Sequence, residues 1–372
     1  MLYCINEYSQ KTIVWQNPKP SSTDYCRPIK VQFKKETSEL ASQEVSYIEG
    51  QISLLENTMV KVGEKEIAVS HNMVLTMIDG KICNALTKTS TQTCYICKAT
   101  PKLMNNLEAV VAKEVDPSTF RFGLSSLHAW IRFFECLLHL AYRLEVKEWQ
   151  IRGAEKKEIV AKRKLRIQKD LRRELGLIVD QPKPGGSGNT NDGNTARRFF
   201  GHEDEVSRIT RIDKELIHRF GVVLKTISSG FEVNAVAFNQ YARQTAQMFV
   251  NLYPWYYMPP SVHKILIHGS AIISAALLPI GQMSEEAQEA RNKHLKQFRQ
   301  HHSRKVSRQA TNSDMFYRLL ATSDPLISSK RNQFRVQSKK KHLPSDVINL
   351  LSPEPGLRAE TSEAFSDSDA SE

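Results

Sequence analysis

No run of eighteen apolar residues occurs anywhere in the 372-residue chain. The nearest, Leu127–Leu144, is interrupted by Arg132, Glu135, His139 and Arg143, so no membrane span is expected. The opening Met1-Leu-Tyr-Cys-Ile-Asn-Glu7 lacks both a basic start and an apolar stretch, which excludes a signal peptide of the usual form. Cysteine is scarce, with 6 residues. Without a secretory signal, such a pair more often holds a metal than forms a disulfide. Internal repeats are absent. Acid is in deficit, with 40 Asp and Glu against 52 Lys and Arg, for a net charge of +12. Five of those acids (Glu360, Glu363, Asp367, Asp369 and Glu372) sit at the very end, so the remainder is more basic still. That balance suits a polyanionic partner such as nucleic acid.

Hydrophobic periodicity divides the chain. The first hundred residues are mixed: strand character at Ile29–Phe33, a helix over Glu36–Asn57, a hairpin from Met59–Val62 to Ile67–Val69, and a strand at Asn72–Ile78 closing on Asp79-Gly80. From about 120 to 325 the pattern turns helical, with stretches at Leu127–Leu144, Ala154–Leu175, 204–226, 234–252, 261–277 and 284–302. A Gly/Asn-rich loop, 185–194, interrupts them. Beyond 325, including Leu343–Leu351, the composition predicts mostly disorder. The basic runs Lys162–Arg166 and Lys339–Lys341 read as nuclear import signals or as solvated basic faces.

Cys94-Tyr-Ile-Cys97 is at most half of a zinc site, and His263-Lys-Ile-Leu-Ile-His268 supplies two imidazoles within the spacing zinc tolerates; a pair of packed cysteines and two surface histidines fit the same residues. On an ideal helix those rings stand about 140° apart, which predicts that the helix ends or distorts there. A second possibility recruits Cys83 with the two cysteines. Asp79 at a strand end suits a hard cation, although Asp-Gly is also a common turn. After Ser284-Glu-Glu-Ala-Gln-Glu289 comes a run of Arg291, Lys293, Lys296 and Arg299 without an acid. That pattern fits a helix along a phosphate backbone, or a solvated basic face.

Taken in order, several segments resemble Transib transposases and the catalytic subunit of the V(D)J recombinase. They are Asn17-Pro-Lys-Pro20 through Cys26-Arg-Pro28, Asp79, Cys94–Thr100, Gly193-Asn-Thr-Ala-Arg-Arg198, His263–His268, and Glu289-Ala-Arg-Asn-Lys293 with Phe298-Arg299. The likeness spans roughly 15–325. It implies an α+β, mostly helical protein with an incomplete RNase H-like core, interrupted by a large all-α insertion that carries a zinc site. The implied segments are 1–115 (the RNase H-like part with the CxxC knuckle), 116–280 (the insertion), 281–325 (the catalytic-Glu helix and a C-terminal helix) and 326–372 (a basic-then-acidic tail).

The resemblance further implies that Asp79 and Glu289 hold Mg²⁺ or Mn²⁺ for two-metal nicking and strand transfer. It implies that Cys94, Cys97, His263 and His268 share a structural Zn²⁺. With it come double-stranded DNA as partner, contacts from Arg197, Arg198, Arg291, Lys293, Lys296 and Arg299, a possible homodimer or accessory recombinase subunit, and a nuclear setting. One feature departs from the family. Its first catalytic Asp lies upstream of the Asn-Pro-Lys-Pro segment, whereas here only Asp24 precedes Asp79. The expectation is an N-terminally truncated or decaying copy that is inactive alone. The competing expectation is a domesticated, non-catalytic, zinc-stabilised DNA-binding protein.

Overall fold

A computed structural model describes residues 2–5, 11–15, 19–20, 22–31, 34–35, 37–71, 80–183, 188–283, 285–332 and 343–353. The predicted strand Asn72–Ile78 and Asp79 lie outside the described residues. The protein is α+β and mostly helical. Both sheets among the described residues are two-stranded antiparallel hairpins: β1 (Leu2–Ile5) with β2 (Lys11–Trp15), and, after α1 (Ser38–Ser53), β3 (Thr58–Val62) with β4 (Lys65–Val69). The expected β3–β4 hairpin is present, turning at Gly63 with φ +63°. Helix α1 is shorter than its apolar pattern suggested, beginning after Thr37, whose hydroxyl accepts from Leu40 N at 3.1 Å. The predicted strand at Ile29–Phe33 is not formed over Ile29–Val31. Ile29 follows Pro28, stands 73% exposed and finds no neighbour to pair with among the described residues.

Short helices α2 (Gly80–Leu86), α3 (Pro101–Met104) and α4 (Leu107–Val111) lead to α5 (Ser126–Arg143), the axis of the helical body. Helix α5 is apolar over a broad face, broken only by a polar stripe of His128, Arg132, Glu135, His139 and Arg143, so most of its surface has to be enclosed. The elements that enclose it are α6 (Ala154–Leu175), α7 (Gly193–Phe200), α8 (Glu203–Thr210), α9 (Lys214–Ile227) and, beyond α10 (Ala235–Leu252), α11 (Pro260–Ala275). Aromatic edges fasten these packings: Phe133 on Phe220 at 4.7 Å, Phe134 on Phe199 at 4.9 Å and Trp130 on Phe200 at 5.7 Å. Helices α12 (Glu286–His301), α13 (Arg308–Thr322) and α14 (Pro325–Asn332) follow, and α15 (Ser345–Ile348) returns to the body. No single helix among the described residues is long and apolar enough to cross a membrane.

The helical part and the C-terminal segment depart from the sequence expectation in three places. The stretch 204–226 is two helices, because Arg211 takes a left-handed conformation (φ +64°) and Asp213 starts a new helix by accepting from Leu216 N at 3.0 Å. Secondly, the basic run on α6 is not wholly solvated. Arg163 is buried and donates to Ala141 O at 2.5 Å and Thr210 O at 3.0 Å, satisfying carbonyls at the ends of α5 and α8. Thirdly, Leu343–Leu351 is ordered. Val347, Leu350 and Leu351 are buried against the body, and Leu351 forms an antiparallel bridge with Val233.

Candidate functional site

The CxxC knuckle is a tight loop. Cys94 N donates to Ala99 O at 3.0 Å, and Lys98 N closes the turn on Cys94 O at 2.8 Å, with Lys98 left-handed at φ +56°. Such a loop points both sulfurs inward. Helix α11 begins at Pro260, a residue suited to a first helical turn, and runs unbroken through His263 and His268 to Ala275. The predicted helix end or distortion is therefore absent. The two rings instead lean in from either flank of a continuous helix, with centroids 5.2 Å apart and planes at 74°.

The ligand atoms of Cys94, Cys97, His263 and His268 lie within 4.8 Å of one another, all buried, and this cluster can hold a metal ion. Cys97 Sγ is 3.4 Å from His263 Nε2. Tetrahedral coordination at ordinary zinc bond lengths needs ligand separations of about 3.3–3.8 Å, a contraction within side-chain reach. The electrostatics point the same way. Cys94 as hydrogen-bond donor and the two histidines hold the Cys97 thiol below its ordinary range, while its bond to Cys97, and burial, push Cys94 up. Burial lowers His263, favouring the neutral ring that ligates. His263 Nδ1 and His268 Nε2 are buried without a hydrogen-bond partner, a cost that a bound ion or its surroundings would offset. Cys83 is not part of the cluster. It is buried beside the Tyr95 hydroxyl.

Residues on either side of the knuckle (Gln92, Thr100, Pro101 and Lys102) and the segment leading into α11 (Trp255 and Tyr257) wall a cavity of about 870 Å³. Trp149, Trp255 and Tyr257 line it, with three cations, Lys102, Arg143 and Arg152, and one acid, Glu148. Trp149 packs 5.4 Å from Tyr257.

Glu289 is exposed on α12, and Lys293 and Lys296 lie on the same exposed stripe. Among the described residues those three form no ion pair. Arg299 is exposed at the edge of the stripe. Arg291 is not a surface residue. Two positions from Glu289 on a helix is a rotation of about 200°. That turns Arg291 inward, where its guanidinium donates to Thr23 O at 2.5 Å, Cys26 O at 3.1 Å and Thr322 Oγ1 at 2.7 Å. Arg197 and Arg198 are also committed within the molecule. Arg197 pairs with Glu286 and lies over the Trp130 ring, and Arg198 donates to Leu175 O at the end of α6. The glycine opening the Gly-Asn-Thr-Ala-Arg-Arg motif has a packing reason: a Cβ on Gly193 would stand 2.4 Å from Leu127 Cδ1.

Sequence reasoning missed Glu285. Its Oε1 accepts from Leu127 N at 2.8 Å and from the Ser125 hydroxyl, and lies 3.7 Å from His128 Nδ1, so it caps α5 from the far end of the chain. Burial alone would raise its carboxyl. The bonds from His128 and Ser125 outweigh that and hold it below 4.5. Its sequence setting, Ser284-Glu-Glu, signals only a helix start. No known protein family matches this chain, and no curated protein matches it.

Proposed function

We propose that the chain is a catalytic-core fragment of a DDE-type DNA recombinase or transposase of the Transib and V(D)J kind. In this reading one Zn²⁺ at Cys94, Cys97, His263 and His268 fastens an all-helical insertion to an RNase H-like part. The supporting observation is that two ligand pairs 166 residues apart meet in one buried cluster, in the combination the resemblance implies. Two thiolates and two imidazoles are the donor set of a closed, structural zinc site rather than an open catalytic one. The cavity adds aromatic rings and cations, the pairing that unstacked nucleic acid uses.

In this reading Mg²⁺ or Mn²⁺, if bound, would supply charge stabilisation for phosphoryl transfer. Asp79 and Glu289 are the ligands this chain offers. Asp24 is a poor third. It is buried in a 3-10 turn, and its carbonyl accepts from Ser328 Oγ at 2.8 Å. That placement favours the second reading, a domesticated, non-catalytic DNA-binding protein on the same scaffold. Nuclear location, a homodimer and an accessory subunit belong to the proposal on the same footing.

The test is a duplex titration at several salt concentrations with the 372-residue chain. Affinity should fall steeply with salt. Lys293→Ala combined with Lys296→Ala should flatten the log–log slope by about 1 for each lost phosphate contact. A salt-independent affinity would remove DNA as partner. In parallel, nicking with Mg²⁺ or Mn²⁺ should not exceed a Glu289→Gln background. Cleavage above it would mean that another carboxylate completes the site and that the chain is active.

A further inference from the structure

His218, on α9, stands between two carboxylates. Its Nδ1 is 2.9 Å from Glu203 Oε2 on α8, and its Nε2 is 3.0 Å from Asp346 Oδ2 on α15. A neutral imidazole has one N–H and cannot donate to both. The doubly bonded ring is an imidazolium, so the docked position of the C-terminal segment carries one bound proton. The docking is also apolar. Val347 and Leu350 pack with Val222 of α9, and Tyr241 and Ala237 of α10 flank them. The backbone completes it: Asn234 N donates to Leu350 O at 3.0 Å and Ser352 N to Glu232 O at 2.8 Å.

These bonds reach the segment Ser228–Asn234, whose other side supports the approach to α12. Gln282 Nε2 donates to Gly230 O at 2.6 Å, and Trp130 Nε1 on α5 donates to Ser228 Oγ at 2.9 Å. Gly281 lies so close that a Cβ there would stand 2.5 Å from Gly230 N. The C-terminal segment and the 3-10 turn Ile280–Gln282, which precedes α12 in the chain, thus both bear on one loop.

We propose that residues 343–353 are a proton-dependent latch: protonated His218 fastens the segment to α8 and α9, and the docked segment braces loop 228–234 and, through it, the turn Ile280–Gln282. The other charged groups around the site are Lys214, Glu215 and Arg219 on α9 and Asp204 on α8, which pairs with Lys214, together with the Tyr241 hydroxyl on α10. Arg219 pairs with Glu215 at 3.8 Å and lies over the Tyr241 ring at 4.0 Å, which leaves Glu203 and Asp346 to face His218. Burial works to lower the His218 pKa, and the two carboxylates outweigh it and raise it above 6.5. For a raised pKa, the stabilisation is complete below the unfolded value and is lost as pH rises through the folded one. The latch therefore holds in mild acid and loosens toward alkaline pH. Asp346, half exposed, is the partner that lets go more readily than Glu203, which is one-fifth exposed.

The test follows the His218 ring by NMR, together with amide-exchange protection factors for residues 345–352 and 228–234 from pH 5 to 9. The ring should titrate above 6.5. Protection of both segments should fall together with rising pH, by about tenfold for each unit of elevation. Asp346→Asn should lower the ring's titration and bring mild-acid protection down to the alkaline level. Val347→Asp, which undocks the segment at every pH, sets the floor. Protection that stays constant across the range, or an Asp346→Asn profile identical to the parent, would overturn the latch. Loss confined to 345–352, with 228–234 unchanged, would overturn its bracing role.

Discussion

The Cys97→Ser chain is expected to contain no zinc and to melt about 8–16 °C below the parent. An ion held a thousandfold above its Kd stabilises the folded state by about 4 kcal/mol, and each kcal/mol moves the midpoint of a body this size by about 2–4 °C. Serine is nearly isosteric and the site is fully buried, so lost coordination rather than lost packing dominates. The parent treated with a strong chelator should melt where the variant melts, and the chelator should leave the variant unmoved. Metal analysis with a thermal scan reads both. A parent that purifies without zinc, or a midpoint indifferent to chelator, would remove the metal. The loss should fall short of the unfolding seen in zinc-finger peptides, because α5 and its neighbours form a large core of their own.

Arg291→Ala should destabilise the protein by about 2–4 kcal/mol and leave the salt dependence of DNA binding nearly unchanged. The guanidinium has three bonds to protein oxygens: its removal leaves the half-buried Cys26 carbonyl without this donor, at a cost of about 1–3 kcal/mol, and forfeits the charged bonds to Thr322 Oγ1 and to Thr23 O, which keeps only its bond from Cys26 N at 3.2 Å. Lys293→Ala, two residues on, should lie within about 0.5 kcal/mol of the parent. Chemical denaturation of the two variants, with the duplex titration alongside, separates the roles. An Arg291→Ala chain of parental stability but shallower salt slope would restore Arg291 to the phosphate-facing side.

What was legible in the sequence was local or came in pairs. Helices α5, α6, α10 and α12 follow from apolar period and caps; Cys-x-x-Cys and the paired histidines mark two candidate half-sites, which only the family resemblance joined into one. The failures have physical causes. A basic run does not reveal which member faces inward; helical rotation sends Arg291 to the core while Lys293 and Lys296 stay out. The break between α8 and α9 needed Asp213 to be recognised as a cap inside an otherwise helical pattern. Glu285 and Asp346 act across 158 and 128 residues, distances over which no spacing rule operates. Leu343–Leu351 lies in a polar setting, and its order comes from a groove that the segment's own composition does not encode.

The 166-residue separation between Cys97 and His263 also sets a timetable for synthesis. At about 5–20 residues per second, the thiols emerge roughly 8–33 s before the imidazoles meant to meet them. During that interval α5 through α9 are already available to pack on one another, while the sulfurs have no histidines to share an ion with. A metal captured early is therefore held by two thiolates alone, open to exchange and oxidation. Final closure waits for α11. An ion bound there would be a late fastening on a nascent body, and a chain stripped of it would return to something like that half-made stage rather than to a random coil.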